Sequence, residues 1–231
     1  MSAQAIRGIP GVSETVLAEA DAGRIPDASA PAPWATVLDA VVWWHRAAPG
    51  AVEHLPPALR GRPALPITIG ALIRYRETPV GPYHEVLGSP VLLAGLPLPS
   101  ASVPFIAVDS AASVHGGRAN WALPKTLARF AWPESMARGF ELDAAGGGWS
   151  VHARVAPRRR RLPLATPLAT RQIRADGTEL GFISRCRGRA RVAGVEVGSH
   201  GPTLPAWLRS GRHAGLVIED ARVVVGEARE V

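Results

Sequence analysis

The sequence predicts a mainly β domain, a barrel or a sandwich with a few short helices. The first observation is the alternation in Ile67–Tyr75, where apolar residues occupy every second position, as in a strand with one buried face. The second is the recurrence of short apolar segments separated by turn residues, among them the glycine run Gly146–Gly148. Many short strands with few long helices are typical of a barrel or a sandwich.

Length and composition fit one globular domain. The chain has 231 residues, of which 47% are hydrophobic and 19% charged, which is enough to bury a core and excludes a wholly disordered chain. No stretch approaches the roughly 20 apolar residues of a membrane span, and no secretory signal is visible. The single cysteine, Cys186, cannot form an internal disulfide. We therefore expect a cytoplasmic protein without a membrane partner.

Residues 1–33 differ in composition from the rest of the chain. They are rich in alanine, glycine and proline and end in the run Asp27–Pro33. We expect a flexible N-terminal arm, able to lie on a partner, with a short helix over Val12–Ala20. The barrel domain is expected to span residues 34–231.

Within that domain the apolar segments predict strands in a definite order. Two segments are expected to be helical, Ala51–Leu55 and Leu123–Ala131, the latter after Pro124. The strand candidates are Thr36–Trp44, Ile67–Tyr75, Tyr83–Ala94, Val103–Val108, Phe140–Leu142, Trp149–Val155, Glu179–Cys186, Arg189–Val197 and Leu216–Val225.

The positive charge does not indicate a nucleic-acid partner. The net charge is +7, and the densest cluster is Arg158–Arg161. Few aromatic residues are interleaved with it, and no helix-turn-helix, zinc-finger or RNA-recognition pattern is present. The cluster predicts an exposed connection between strands that could also bind a phosphate or carboxylate. The histidines are scattered without paired metal-ligand spacing, so no metal site is expected.

Lys125 is the only lysine of the chain. Lysines and arginines together number 26, so 25 are arginine. Arginine cannot lose its proton near neutral pH, whereas a neutral lysine amine attacks carbonyl carbon to form a Schiff base. A lone lysine in an arginine-rich chain is either an accident on the surface or a candidate for covalent chemistry.

Two segments of the chain carry recognisable motifs. The first, Tyr75–Glu85, contains Pro-x-Gly-x-Tyr-x-Glu, and the second, Gly116–Ala128, contains Gly-Arg followed by Leu-Pro-Lys. Together they resemble the acetoacetate decarboxylase superfamily, whose members read approximately P-x-G-x-Y-x-E and later G-R-E-x-x-G-[YFL]-P-K-[KL]-L-A. The order and spacing of the motifs agree, and the resemblance extends more loosely from about Trp34 to Arg229. It implies a closed or partly closed antiparallel β-barrel of the acetoacetate decarboxylase-like type with a few short helices.

Five residues of the two motifs are candidates for the site, and the resemblance implies the roles of two of them. Lys125 stands at the Schiff-base position, and acetoacetate decarboxylase is a standard example of a lysine activated for nucleophilic attack. Glu85 matches a carboxylate that faces this lysine and moves protons or orients the substrate. Arg118 is expected to anchor a substrate carboxylate or, alternatively, to hold the loop in an ion pair. Tyr83 and Trp121 are expected to line the pocket or to pack in the core.

The function implied by the resemblance is a Schiff-base-forming lyase. The substrate would be a β-keto or other small oxo acid, no cofactor is expected, and the chain is expected to form a homo-oligomer. Burial is expected to lower the pKa of Lys125, so that a fraction of the amine is neutral. Decarboxylation through an iminium on Lys125 is the leading expectation.

Departures from the superfamily pattern keep two alternatives open. A second lysine after the first is replaced by Thr126, and a glutamate on the strand before the first motif falls at Gly70. The Gly-Arg-Glu of the family ends in Ala119, and an arginine near the family's substrate has no counterpart in Thr36–Trp44. Aldolase or dehydratase chemistry on the same lysine, and a non-catalytic barrel that binds a small molecule, therefore both remain possible.

Overall fold

The computed structural model describes residues 7–231. In this range fifteen strands belong to one sheet, which confirms the mainly β prediction. The long strands are β1 (Trp34–Arg46), β3 (Ile67–Glu77), β12 (Leu162–Ile173), β13 (Glu179–His200) and β14 (Gly211–Val225). The shorter strands are β2 (Ala64–Leu65), β4 (Tyr83–Ser89), β5 (Leu92–Leu93), β6 (Ser100–Ala101), β7 (Phe105–Val108), β8 (Thr126–Leu127), β9 (Arg129–Ala131), β10 (Phe140–Gly146), β11 (Trp149–Pro157) and β15 (Arg229–Glu230).

The helices of the described chain are few and short. They are α1 (Glu19–Ala22), α2 (Ala111–Trp121) and α3 (Leu204–Trp207), together with 3₁₀ turns at Ser13–Thr15, Ala51–His54 and Pro57–Leu59. None of the helices in residues 7–231 combines the length and the apolar character that crossing a membrane requires.

The sheet is nearly circular in its connections but is not closed by hydrogen bonds. From β13 the ladders run in one direction through β14, β1, β3, β4 and β7 to β8. In the other direction they run from β13 through β11 and β10 to β9. Only Ala128 separates β8 from β9 in the chain, yet no ladder joins these two strands among those described. The fully closed form of the expected barrel is therefore not observed.

Both faces of the central strands are buried, because successive side chains of a strand point to opposite sides. One face contributes the larger core, which includes Val41, Trp43 and Leu72. The opposite face contributes a second cluster, here called the site-side core, which includes Leu38 and Ile73.

The structure corrects several predicted elements. Leu123–Ala131 is not a helix, because its residues form β8 and β9. The helix of this region is α2, which ends before Pro124. The two strands expected at Glu179–Cys186 and Arg189–Val197 are one continuous strand, β13, and the connection at Arg158–Arg161 leads into β12, which the sequence did not predict.

The described part of the N-terminal arm lies against the domain. Val12 is buried, and its amide donates to the carbonyl of Pro104 at 3.0 Å. Glu14 is also buried, and its carboxylate accepts hydrogen bonds from Thr203 and Leu204. These contacts argue against a free arm over residues 7–33; the division of the chain at residue 34 remains a prediction.

Candidate active site

Neighbouring strands bring the two sequence motifs together. Lys125 follows α2 in a turn where its amide donates to the carbonyl of Leu123 at 2.7 Å, and β8 then pairs in parallel with β7. Strand β7 also pairs with β4, where Glu85 lies opposite Val108. The side chains of both motif residues are therefore buried side by side, with Lys125 3% and Glu85 2% exposed.

The Lys125 amine has three polar neighbours. Nζ donates to Glu85 Oε2 at 2.7 Å, to Ser113 Oγ at 2.9 Å and to the Tyr83 hydroxyl at 3.4 Å. The other carboxylate oxygen, Oε1, accepts from the Tyr75 hydroxyl at 3.2 Å. The Tyr75 and Tyr83 rings stack with centroids 4.4 Å apart. The amine and the carboxylate thus share one buried network with three hydroxyl groups.

The charge state of this network differs from the sequence-based expectation. Burial lowers the pKa of Lys125, but the Glu85 carboxylate and the Tyr83 hydroxyl outweigh it, so the pKa of Lys125 lies above its ordinary value. The expectation that burial would leave the resting amine partly neutral is therefore wrong. Burial also raises the pKa of Tyr83 and, more strongly, that of Tyr75, so both hydroxyls keep their protons.

The same contact provides a route to the neutral amine. A buried ion pair carries a desolvation cost for both charges, and moving one proton from Nζ to Oε2 along the 2.7 Å hydrogen bond removes both charges. Glu85 can hold the proton while the amine reacts and can return it later.

Gly117 makes room for the lysine side chain. A Cβ at this position would lie 2.5 Å from Cδ and 2.7 Å from Cε of Lys125. Gly116, beside it on α2, faces the ring of Trp34, where a Cβ would lie 2.5 Å from a ring carbon. The two adjacent glycines thus let α2 pack closely against the Trp34 ring and against the Lys125 side chain.

Two of the residues predicted to contact substrate, Arg118 and Trp121, make structural contacts in the described chain. Arg118 is 1% exposed, and its described hydrogen bonds go to backbone carbonyls, those of Lys125 at 2.6 Å, Thr15 at 3.1 Å and Arg7 at 3.4 Å. Its burial lowers its pKa to about 10. These contacts favour the alternative that Arg118 holds the loop, and its partners among the described hydrogen bonds are backbone carbonyls. They do not test a contact with substrate.

Trp121 packs in a small apolar cluster. Its ring meets that of Trp34 edge-on with centroids 5.0 Å apart, and its indole N–H donates to the carbonyl of Gly226 at 2.7 Å. Phe182 completes the cluster. Core packing, one of the two expectations for Trp121, describes these contacts.

Sequence reasoning missed Tyr75 and Ser113. Tyr75 begins the first motif and lies opposite Tyr83 in the β3–β4 ladder. Predicting a hairpin between the two ends of this motif could therefore have placed Tyr75 beside Tyr83. Ser113 is fully buried on α2, and no sequence signal pointed to it. The glutamate position assigned to Gly70 is not in the site, because Gly70 faces the ring of Trp43 in the larger core.

The arm covers part of the site-side core. Leu17 and Ile25 pack against this core, and a surface pocket of about 320 Å³ is lined by arm residues between Arg7 and Glu19.

Within residues 7–231, no group of three or more His, Cys, Asp or Glu side chains is arranged to hold a metal ion.

Comparison with solved structures finds proteins of similar fold. The enduracididine biosynthesis enzyme MppR, solved with pyruvate, is 15% identical, with 87% of this chain and 91% of that chain covered and a TM-score of 0.67. An acetoacetate decarboxylase is 12% identical, with 88% and 91% covered and a TM-score of 0.65. An acetoacetate decarboxylase-like enzyme from Sphingomonas wittichii RW1 is 15% identical, with 88% and 99% covered and a TM-score of 0.65.

Comparisons of the sequence itself find less. No protein-family model matches the chain, and no curated protein matches it either. The likeness therefore rests on the three-dimensional structure, and the chain has the fold of acetoacetate decarboxylase and acetoacetate decarboxylase-like enzymes.

Proposed function

We propose that this protein is a Schiff-base-forming lyase that decarboxylates a β-keto or other oxo acid through an iminium on Lys125, with Glu85 as the proton carrier. The observation that carries the proposal is the buried hydrogen bond of 2.7 Å between the only lysine of the chain and a glutamate.

The reaction begins with a proton transfer and an addition. Glu85 takes a proton from Nζ, and the neutral amine adds to the ketone carbon of the substrate. Loss of water, helped by a proton from Glu85, gives an iminium on Lys125. The Ser113 and Tyr83 hydroxyls, at 2.9 and 3.4 Å from Nζ, are close enough to bond the departing oxygen.

The iminium then accepts the electrons of the breaking bond. The bond to the carboxylate carbon breaks, carbon dioxide leaves, and the electron pair forms an enamine. Glu85, which has meanwhile taken a proton from solvent water, protonates the enamine carbon and restores an iminium. Hydrolysis of this iminium by water releases the ketone and returns Lys125 as the ammonium. The reaction therefore takes up one proton from solvent for each carbon dioxide released, and it needs no oxidant or reductant.

The fold neighbours support lysine chemistry on oxo acids without fixing the reaction. One is an acetoacetate decarboxylase, and MppR has been solved with pyruvate, a 2-oxo acid. MppR has also been solved with the condensation product of pyruvate and imidazole 4-carboxaldehyde. This favours an aldolase or dehydratase as the second candidate function, because the same enamine can attack an aldehyde in place of a proton.

Reductive trapping tests the proposal. The protein is incubated with acetoacetate, acetopyruvate and a larger keto acid in the presence of borohydride, and the adduct is located by peptide mass spectrometry. We expect a reduced adduct on Lys125 with at least one of these compounds, and none with the Lys125→Arg variant. Absence of an adduct across the panel, with folded protein at neutral and mildly acid pH, would favour a non-catalytic binding barrel.

Product analysis separates the two enzymatic candidates. Release of carbon dioxide from a trapped β-keto acid supports decarboxylation. A trapped 2-oxo acid that releases no carbon dioxide but condenses with an added aldehyde supports the aldolase reaction.

A further inference from the structure

A cavity of about 510 Å³ lies at the end of the sheet away from Lys125. It is bounded by Arg46, the last residue of β1, and by the connection that follows this strand. Arg46 lies opposite Ile67 on β3, whereas Glu85 lies opposite Ile73 on the same strand. The stretch from Ile67 to Ile73 spans roughly 20 Å at the rise of an extended strand. The cavity is therefore separate from the candidate active site.

The walls of the cavity are apolar and are held in place by backbone hydrogen bonds. The amide of Ala47 donates to the carbonyl of Pro66 at 2.9 Å, and that of Ala51 donates to the carbonyl of Ala48 at 3.1 Å. Gly50, with a left-handed φ of 76°, turns the chain just before Ala51. The apolar side chains that line the cavity include Ala47, Ala51, Val52, Ala64, Leu65 and Val91. Both the size of the cavity and these walls are typical of small-molecule sites.

Two arginines lie at the rim of this cavity. Arg46 and Arg209 are exposed, and neither guanidinium forms an ion pair or a side-chain hydrogen bond with residues 7–231. The described residues that line the cavity include no acidic side chain. A guanidinium presents its N–H donors in a planar fork that fits a carboxylate or a phosphate. The rim therefore supplies positive charge and hydrogen-bond donors beside apolar walls.

One imidazole contacts the main chains of both arginines. Nδ1 of His45 lies 2.9 Å from the carbonyl oxygen of Arg46, and Nε2 lies 3.3 Å from the amide nitrogen of Arg209. A carbonyl only accepts and an amide N–H only donates, so His45 is neutral with its hydrogen on Nδ1. Nε2 of His213 donates to the carbonyl of Arg209 at 2.7 Å, and the two imidazole rings lie 4.6 Å apart. The backbone of both arginines is thus fixed before a ligand binds, which lowers the entropy cost of binding.

We propose that this cavity binds an amphipathic anion. The carboxylate or phosphate head of the ligand is bound by Arg46 and Arg209 at the rim, and its apolar body packs against the alanine, valine and leucine side chains of the walls. Because the cavity is separate from the site that contains Lys125, this proposal does not depend on the proposed lyase activity.

Other ligands fit the cavity less well. A metal ion would meet two positive charges and no carboxylate among the described lining residues. A nucleic acid would find no aromatic stacking surface among the same residues. A neutral apolar molecule would desolvate the guanidinium donors without offering them an acceptor, which is costly. An anion with an apolar body satisfies both the walls and the rim.

Calorimetric titration of the whole chain tests the proposal with octanoate, octyl phosphate, acetate and 1-octanol. The first two probes combine a head with an apolar body, acetate supplies the head alone, and 1-octanol supplies the body alone. We expect octanoate or octyl phosphate to bind with a dissociation constant below about 1 mM, at least about tenfold more tightly than acetate or 1-octanol. The tighter of the two amphipathic probes identifies the head as a carboxylate or a phosphate.

Variants that remove one charge locate the bound probe. Arg46→Gln and Arg209→Gln should each weaken binding at least about tenfold, because each removes charged hydrogen-bond donors from the head. The matched control Arg138→Gln removes an exposed arginine of the β9–β10 connection that has no described ion pair, and it should leave binding unchanged. Lys125→Arg should also leave binding unchanged, because it alters the other site. Thermal melts show whether each variant folds.

Several results would overturn the proposal. One is the absence of binding by octanoate and by octyl phosphate up to about 10 mM. Another is binding that is no tighter than that of acetate or 1-octanol, or that either arginine variant retains in full. Binding that is lost in Lys125→Arg but retained in Arg46→Gln and Arg209→Gln would place the probe in the active site and would also overturn it.

Discussion

Two buried basic residues of this protein have nearly the same exposure and opposite surroundings. The side chains of Lys125 and Arg191 are each 4% exposed, and each contacts a glutamate, Glu85 or Glu219. Arg191 bonds Glu219 through two nitrogens at 3.1 and 3.2 Å and also donates to the carbonyls of residues 136 and 137. Lys125 bonds a carboxylate and two hydroxyl groups.

The difference shows why one buried ion pair is structural and the other can be chemical. A guanidinium keeps its proton, and backbone carbonyls only accept, so the charge on Arg191 is fixed in place. An ammonium can lose its proton, and hydroxyl groups both donate and accept, so the network around Lys125 can be rearranged while remaining hydrogen-bonded. Burial is common to both sites; the partners decide what each can do.

The largest effect is expected from replacing Lys125. Lys125→Arg keeps a positive charge beside Glu85 but removes the nucleophile, so we expect no borohydride-trapped adduct and a loss of turnover of at least about 10³-fold. Thermal melting should confirm the fold. Turnover within tenfold of the wild type would contradict a covalent role for this lysine.

Glu85→Gln separates covalent chemistry from proton transfer. Without the carboxylate, the Tyr83 hydroxyl is left to oppose the larger effect of burial, so the pKa of Lys125 should fall and trapping at neutral pH should persist or increase. Turnover should fall about 10²–10⁴-fold, because the amide cannot carry a proton. Trapping and turnover are measured on the same preparation. Loss of trapping with unchanged turnover in Glu85→Gln would contradict both the covalent role of Lys125 and the proton-transfer role of Glu85.

Arg191 should matter for stability and not for chemistry. Arg191→Ala leaves Glu219 with only the half-exposed Arg161 and removes the hydrogen bonds to two carbonyls, so we expect a loss of about 3–5 kcal/mol in the free energy of unfolding. The control Arg161→Ala should cost less than about 1 kcal/mol. Urea denaturation gives both values. The trapping rate of Arg191→Ala is measured at low temperature, where the variant is folded. A trapping rate that falls together with the free energy of unfolding would contradict the distinction between the Arg191–Glu219 and Lys125–Glu85 pairs.

Gly117→Ala and Gly116→Ala test how closely α2 approaches the lysine. The added methyl at 117 overlaps the Lys125 stem and should displace the amine, so we expect roughly a tenfold slower trapping rate with the fold retained. The methyl at 116 meets the Trp34 ring instead and should lower the melting temperature more than the trapping rate. Equal effects of the two variants on trapping would contradict the placement of the lysine stem.

The smallest effect concerns the seating of the arm at acid pH. Burial raises the pKa of Glu14, but hydrogen bonds from Thr203 and Leu204 outweigh it and leave the pKa below its ordinary value of 4.5. The carboxylate therefore stabilises the arm above that value, and the contribution is lost as the pH falls through the lower, folded pKa. Hydrogen exchange of the arm amides, corrected for intrinsic rates, should accelerate below about pH 4 relative to pH 6. The Glu14→Gln variant should lack this pH dependence, and a wild type without it would show that Glu14 does not hold the arm.

Much of the site was predictable because it lies in short, local motifs. Lys125 was identified as the only lysine, and Glu85 and Tyr83 were identified in a motif that resembles the acetoacetate decarboxylase superfamily; the structure places the three residues in contact. Strand alternation alone does not identify Ser113, because it reaches the amine from α2. That helix was not predicted, since the adjacent glycines Gly116 and Gly117 have low helix propensity.

Gly116 and Gly117 are required by tertiary packing, which the sequence alone does not reveal. Their missing side chains leave room for Trp34 and for Lys125, and this spatial requirement overrides helix propensity. The pKa direction was missed for a similar reason. Burial was predictable from the apolar surroundings, but the 2.7 Å contact that reverses its effect depends on the three-dimensional packing of β4 and β8.

The single lysine makes a direct measurement of the central interaction possible. Protein labelled with ¹⁵N-lysine carries one side-chain amine, so its NMR signal can be titrated without overlap from other lysines. We predict a titration midpoint above the ordinary 10.5 in the wild type and a midpoint below it in Glu85→Gln. A wild-type midpoint already below the ordinary value, and unchanged by Glu85→Gln, would contradict the claim that the Glu85 carboxylate keeps Lys125 protonated at rest.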